Sequence, residues 1–168
     1  GLCYMAGYGI QDASIALVGQ AVGAHRRDMS KRFAWLCTGM GMGIMALSGV
    51  LMWLFAPALM SIFTADAAVI ALGAQMLRIE AFAEPLFGAS IVAGGVFQGV
   101  GSTLIPTVFN LGTMWGIRIP LAWLAAPRWG LPGVWAAMCL ELCVRGVLYL
   151  TRLVGKRWLP PGDQNEQA

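Results

Sequence analysis

The stretch MLRIEAFAEPLFG, residues 76 to 88, places Arg78, Glu80 and Glu84 beside Pro85 inside a run of apolar, helix-forming residues. Carboxylates in such surroundings can bind and release protons or cations, because an ionised acid there is costly unless it is paired, protonated or wetted. Farther along, Arg118 stands two residues before Pro120. A guanidinium does not readily shed its proton, so Arg118 requires an anion or water. Glu141 and Arg145 lie four apart with the acid first, the better orientation for a helical ion pair. Asp12, Gln98 and Asn110 add polar groups to other apolar segments. A self-neutralising network, with Glu84 on Arg118 and Glu141 on Arg145, accounts for any one of these charges as well as a water-filled path does. Taken together, at about 2.5 to 3.5 kcal/mol per charge at a helix centre, they exceed what a passive anchor tolerates and point to a path.

The elements that carry these groups follow from composition. Of the 168 residues, 58% are hydrophobic and 11% charged, and the mean hydropathy is +0.71; soluble domains carry about a quarter charged residues. Residues 33 to 56, 69 to 98, 104 to 126 and 131 to 151 each reach or approach the ~20 apolar residues that cross a hydrocarbon core. A fifth apolar segment opens the chain. The sequence therefore predicts an all-α polytopic bundle with membrane-spanning helices over about 1–24, 33–56, 67–98, 104–126 and 131–154, and a polar cytoplasmic tail over 159–168. The opening GLCYMAGYGIQDASIALVGQAVGA has no initiating Met, basic region or small-residue cleavage site, so it reads as a truncated helix rather than a signal peptide. The expected object is the later portion of a longer protein, closed by the solvated segment PPGDQNEQA.

Loop charge sets the orientation. Arg26, Arg27, Lys31 and Arg32 in one loop and Arg152, Lys156 and Arg157 near the C-terminus fall on one side of five crossings, against Arg128 on the other. The positive-inside rule makes the basic side, with the C-terminus, cytoplasmic. Topology and anionic headgroups thus explain the net charge of +3 without a nucleic-acid partner. Trp53, Trp123, Trp129 and Trp158 lie near segment ends, where interfacial rings are favoured. Cys3, Cys37, Cys139 and Cys143 are spread through apolar segments as packing residues; with His25 in a loop, no metal site is expected.

Within the second helix, Gly39, Gly43 and Leu47 share a face and predict close helix packing, while Met40, Met42 and Met45 offer a pliable wall as an alternative. Thr64 or Asp66 caps the third helix. In that helix Glu80, Glu84, Gly88, Ile91, Gly95 and Gln98 form one stripe suited to a cavity wall, and Pro85 frees the carbonyl of Ala81 and predicts a kink. Arg78 lies nearer the outer end, within snorkelling reach of the headgroups, with Glu80 its neighbour's partner or solvated. The fourth helix aligns Thr107, Asn110, Met114 and Arg118 on one face, with a bend at Pro120.

Three passages resemble the multidrug and toxic compound extrusion (MATE) family. ASIALVGQAVGAHRRD (13 to 28) has the family's VGQ-x-x-GA helix end and basic loop. EPLFGASIVAGGVFQGVGSTLIPT (84 to 107) is similar to its small-residue helix and turn, with Gln98 where arginine is usual and Ser102 where aspartate is usual. WGIRIPLAW with WGLPGVWAA (115 to 123, 129 to 137) is similar to the last two helices of the second half.

The resemblance implies a twelve-helix protein of two six-helix lobes that rocks between inward-open and outward-open states. This chain would supply five helices of the second lobe, its partners being the N-terminal lobe, the first helix of the second lobe and the lipid bilayer. It implies an antiporter in the inner (plasma) membrane, driven by H⁺ or Na⁺ with no other cofactor, exporting small, cationic, lipophilic xenobiotics. The coupling aspartate that one branch carries in helix three aligns with Phe87, so that site does not carry over; Glu84, one turn earlier, is the candidate replacement. Glu84, Asp12, Gln98, Asn110, Arg118 and Glu141 are the expected pathway residues. A lipid-linked oligosaccharide flippase of the same superfamily, which would use Arg118 and Arg145 on pyrophosphate, and a non-transporting scaffold are the alternatives. With neither a serine-histidine pair nor an intramembrane aspartyl motif, an enzyme is not expected.

Overall fold

The computed structural model describes residues 2–159, and all regular structure among them is helical. The tail 160–168 and the side chains of Leu2, Cys3 and Lys156 lie outside the described residues. Helix α1 spans Leu2–Gly23, α2 Arg27–Ser61, α3 Ala67–Gly99 and α4 Leu104–Thr113. A π-helical turn, Met114–Arg118, leads into α5, Ile119–Val154, and a short 3₁₀ turn follows at Lys156–Trp158.

Helix α2 begins at Arg27 and ends at Ser61, so it extends beyond the apolar window 33–56 at both ends. The basic residues at its start are exposed and helix-compatible, so hydropathy alone does not find that boundary. With 35 and 33 residues, α2 and α3 are each about 50 Å long, against a hydrocarbon core of ~30 Å. Of the two candidate caps for α3, Asp66 is the N-cap: its carboxylate accepts from Ala68 N at 2.9 Å and Val69 N at 3.4 Å, while Thr64 Oγ1 accepts from Asp66 N.

Helix α5 is two passes. Gly130, at φ 60° and ψ −143°, breaks it with a conformation essentially restricted to glycine, and the chain turns back. Contacts on either side give an antiparallel register: Tyr149 meets Pro106 and Asn110, Glu141 meets Arg118, and Gly133 lies against Ala125. Residues 104–129 and 131–154 thus form a helical hairpin.

Helix α3 is the hub, packed against α1, α2 and α5. Between Gly88 and Phe97 it is buried on all sides. Small residues make this possible. A Cβ built at Gly95 would lie 2.6 Å from Ser14 Oγ on α1, and one at Gly88 would lie 2.8 Å from Met45 Cγ on α2. The face of α2 that packs holds Gly41, Met45 and Gly49, not Gly39 and Gly43, which are exposed with nothing near them. The alternating glycines make two faces equally smooth, and α3 selects the one that also carries Met45, Met52 and Ala56. Met40 is exposed and Met45 buried, so the methionines share no wall.

One core cluster closes the basic-loop end of the bundle, where Phe97, Tyr149, Leu153 and Trp158 pack with Val18 and Ala34. Trp158 is buried there, its Nε1 donating to Leu153 O at 2.9 Å, instead of lying at the interface; Trp53, Trp123 and Trp129 are exposed. Cys37 and Cys139 are buried free thiols.

Candidate functional site

The glycine seams decide where the polar stripe of α3 faces. Gly88 and Gly95 are consumed by contacts with α2 and α1, so of the expected stripe Glu84, Gly88 and Gly95 form a packing seam, while Ile91 and Gln98 line a cavity. The cavity lies on the adjacent face, formed by Phe87, Ser90, Gly94 and Gln98. It has a volume of about 160 Å³ and is completed by Tyr8 and Gln11 of α1, Asn110 of α4, and Arg145 and Tyr149 of α5.

Two expected pathway residues, Gln98 and Asn110, therefore meet at this cavity. Asn110 is held by Tyr149, whose hydroxyl donates to Asn110 Oδ1 at 3.2 Å and lies 3.3 Å from Pro106 O. Tyr149 is buried between Phe97 and Phe109, its ring stacked on the first at 5.8 Å and edge-on to the second at 5.3 Å. In the sequence it passes for one more apolar-run aromatic. Tyr8, Gln11 and Ser90 also escape a reading based on charge.

Glu141 is fully buried, with 0% of its side chain exposed, and serves two arginines. Arg145, 14% exposed, grips Oε1 through Nε at 2.8 Å and through Nη2, while Arg118, 29% exposed, brings Nη2 to within 2.9 Å of Oε2. The expected pair of Glu84 with Arg118 does not form. Arg118 is drawn to α5 by the hairpin, aided by the π turn: Ile119 N–H bonds Met114 O five residues back, and the wider turn re-phases every side chain beyond it. At Pro120, which lacks a backbone donor, the sequence thus produces a widened turn ahead of it instead of a simple bend.

Glu84 is 2% exposed and faces α2, where the missing side chain of Gly49 admits it; a Cβ there would lie 3.2 Å from Glu84 Cβ and 2.8 Å from Ala81 O. That carbonyl is the one Pro85 leaves without its usual helical donor. Oε2 of Glu84 has no hydrogen-bond partner among the described residues. Glu80, one turn away, accepts from the Tyr4 hydroxyl of α1, so it is neither Arg78's partner nor simply solvated. Phe87 packs edge-on against Tyr4 with centroids 5.0 Å apart. Asp12 is exposed on α1 and does not line the cavity; its neighbour Gln11 does.

Residues 1–124 match the MatE family of transporters. The chain belongs to that family. Among curated MATE relatives, the probable multidrug resistance protein NorM of Mesorhizobium japonicum is 32% identical over 95% of this chain and 36% of its own length. NorM of Xanthomonas axonopodis pv. citri is 30% identical over 88% of this chain and 32% of its own. The chain thus spans about a third of the curated MATE relatives it matches. Among solved structures, the MATE transporter ClbM in complex with Rb⁺ superposes with a TM-score of 0.83 at 22% identity, over 94% of this chain and 38% of that one. The bent form of VcmN from Vibrio cholerae gives 0.81 at 15% identity, over 94% and 36%. These likenesses give the fold: a helical MATE membrane bundle, and the helices α2, α3 and the hairpin are apolar and long enough to span.

Proposed function

We propose that this chain is part of a cation-coupled antiporter that exports drugs or other xenobiotics across the inner (plasma) membrane by alternating access, with its C-terminus cytoplasmic. It works as a transporter part and not as an enzyme. The observation that carries this reading is Glu84, a carboxylate buried in the hub helix with one oxygen free of any partner among the described residues. Such a group is stable there while it carries H⁺ or Na⁺ and unstable when bare, so releasing the ion requires water to reach it. That is the behaviour a coupling site needs.

The cavity of Tyr8, Phe87, Gln98 and Asn110, which at about 160 Å³ is smaller than a drug-sized molecule needs, supplies aromatic faces and neutral hydrogen-bonding groups to one side of a path that the other lobe completes. Asp12 joins the path where a further helix meets the exposed face of α1, the first helix of this lobe and the N-terminal lobe being the absent partners. No nucleic acid takes part. In the full-length protein, Glu84→Gln is expected to reduce ion-driven efflux of a cationic dye; unchanged efflux at normal expression removes Glu84 from the mechanism.

One observation favours a second reading: Arg145 is the one charged side chain among the cavity's lining residues. Guanidinium groups suit the pyrophosphate of a lipid-linked oligosaccharide. A lipid-flipping assay on Arg118→Ala and Arg145→Gln separates the two, with flipping intact in both variants counting against the flippase. A dry scaffold is tested by water accessibility of cysteines at positions 87, 90 and 98, since 88 and 95 are sealed within helix seams in either case.

A further inference from the structure

In the half of the bundle away from the basic loop, α2 and α3 leave between them an apolar surface groove of about 530 Å³, while Met60 packs on Gly73 beyond it. Its walls are Val50 and Leu54 of α2, Phe82 and Pro85 of α3, and the floor is Ala46, Gly49 and Ala81. Its floor is low because the residues there, Ala46, Gly49 and Ala81, carry little or no side chain. From Ala46 to Trp53 it follows the helices for about 10 Å.

At its upper end stands Arg78. The guanidinium carbon lies 5.6 Å from the centroid of the Trp53 ring, which itself lines the groove. Arg78 is exposed and has no carboxylate partner among the described residues; the ion pairs found there are those of Glu141. Depth agrees with this placement. Arg78 is eleven residues from the start of α3 at Ala67 and Trp53 eight from the end of α2 at Ser61, or about 16 and 12 Å along the axes. If helices of about 50 Å straddle a ~30 Å core evenly, the backbone of Trp53 comes within about 2 Å of the boundary between headgroups and hydrocarbon and that of Arg78 about 6 Å inside it, within reach of its long side chain. There a snorkelling arginine and an interfacial tryptophan are at home.

We infer that Arg78, Trp53 and the α2–α3 groove form a binding site for one anionic phospholipid, with its phosphate on Arg78 and the upper part of one acyl chain between Val50 and Phe82. An apolar trough would hold any chain; the unpaired cation at its mouth selects a negatively charged headgroup. The guanidinium offers a fork of N–H donors to phosphate oxygens, and its cation–π contact with the Trp53 ring holds it at the groove mouth. The chain then lies over Gly49, on the far side of which sits Glu84, and covers the seam that holds the buried acid.

The test uses the full-length protein reconstituted in phosphatidylcholine vesicles containing phosphatidylglycerol, extracted gently and examined by native mass spectrometry for retained lipid. Wild type is expected to keep phosphatidylglycerol in preference to phosphatidylcholine. Arg78→Gln should lower that retention about fivefold, as expected for one basic residue at a membrane surface, and Arg78→Lys should keep most of it. Val50→Trp, which fills the groove from an exposed position without touching Arg78 or the α2–α3 seam, should also lower it. Monodisperse gel filtration confirms that each variant is folded. No retained lipid in wild type, equal retention of the two lipids, or equal phosphatidylglycerol retention in wild type, Arg78→Gln and Val50→Trp would each overturn the inference, including the case in which another part of the protein covers the groove.

Discussion

Arg118 and Glu141 meet across the terminal hairpin, Nη2 to Oε2 at 2.9 Å, although twenty-three positions and the reversal at Gly130 separate them. Glu141 has no exposure and also holds Arg145, so removing it strips two guanidinium groups of their shared counter-charge. Breaking a buried pair from one side costs ~3 to 5 kcal/mol. Glu141→Gln is expected to lower the thermal unfolding midpoint of the full-length protein in detergent far more than Arg118→Gln, which leaves the Arg145 pair in place and removes a partly exposed group. Equal shifts would mean that Arg118 contributes as much as the buried acid itself.

Tyr149 separates packing from hydrogen bonding. Its ring packs between Phe97 and Phe109 while its hydroxyl reaches Asn110 and Pro106. Tyr149→Phe should cost about 1 kcal/mol, and Tyr149→Ala ~3 to 5 kcal/mol. Thermal unfolding ranks the two, and indistinguishable midpoints would contradict this division.

Gly95 and Gly39 make a controlled pair. A methyl at Gly95 meets Ser14 Oγ at 2.6 Å and Gln11 O at 2.9 Å, whereas one at Gly39 meets nothing. Gly95→Ala is expected to destabilise by ~1 to 3 kcal/mol through overpacking. Gly39→Ala should be neutral or slightly stabilising by helix propensity. Comparing unfolding midpoints of the two variants checks which face of α2 and α3 carries the seams.

Gly130 sits at φ 60° and ψ −143°, where a side chain strains the backbone by ~1 to 3 kcal/mol. Gly130→Ala should weaken the hairpin and lower the thermal unfolding midpoint of the full-length protein. An unchanged midpoint would show that the reversal tolerates a Cβ.

Much of the fold could be read from the sequence, because crossing a membrane demands long apolar runs and nothing else in a chain produces them. The Asp66 cap was legible for the same local reason. What stayed hidden needed a neighbour. The string GMGMGI puts glycine on two different faces of the second helix, so only α3 could choose the face of Gly41 and Gly49 over that of Gly39 and Gly43. Gly88 and Gly95 looked like open space until α1 and α2 were found filling it. Arg118 was expected on Glu84, and the π turn and the hairpin register sent it to Glu141 instead. Asn110 and Gln98 were visible as polar groups in apolar runs, but Tyr149, which positions one of them, carries no charge to betray it.

The pass over residues 104–129 is held differently from the rest. Within it only Pro106, Thr113 and Ala125 are buried, and its ties to the last pass include two hydroxyl contacts of Tyr149 and one arginine–carboxylate contact. Helices locked through glycine cannot slide without tearing apart interdigitated surfaces, but polar contacts trade partners with water at nearly level energy. Towards the reversal the hold changes again, for Gly133 lies against Ala125 and Trp129. This pass is therefore welded at its turn and only latched along its middle, where water reaching the cavity competes for the latch.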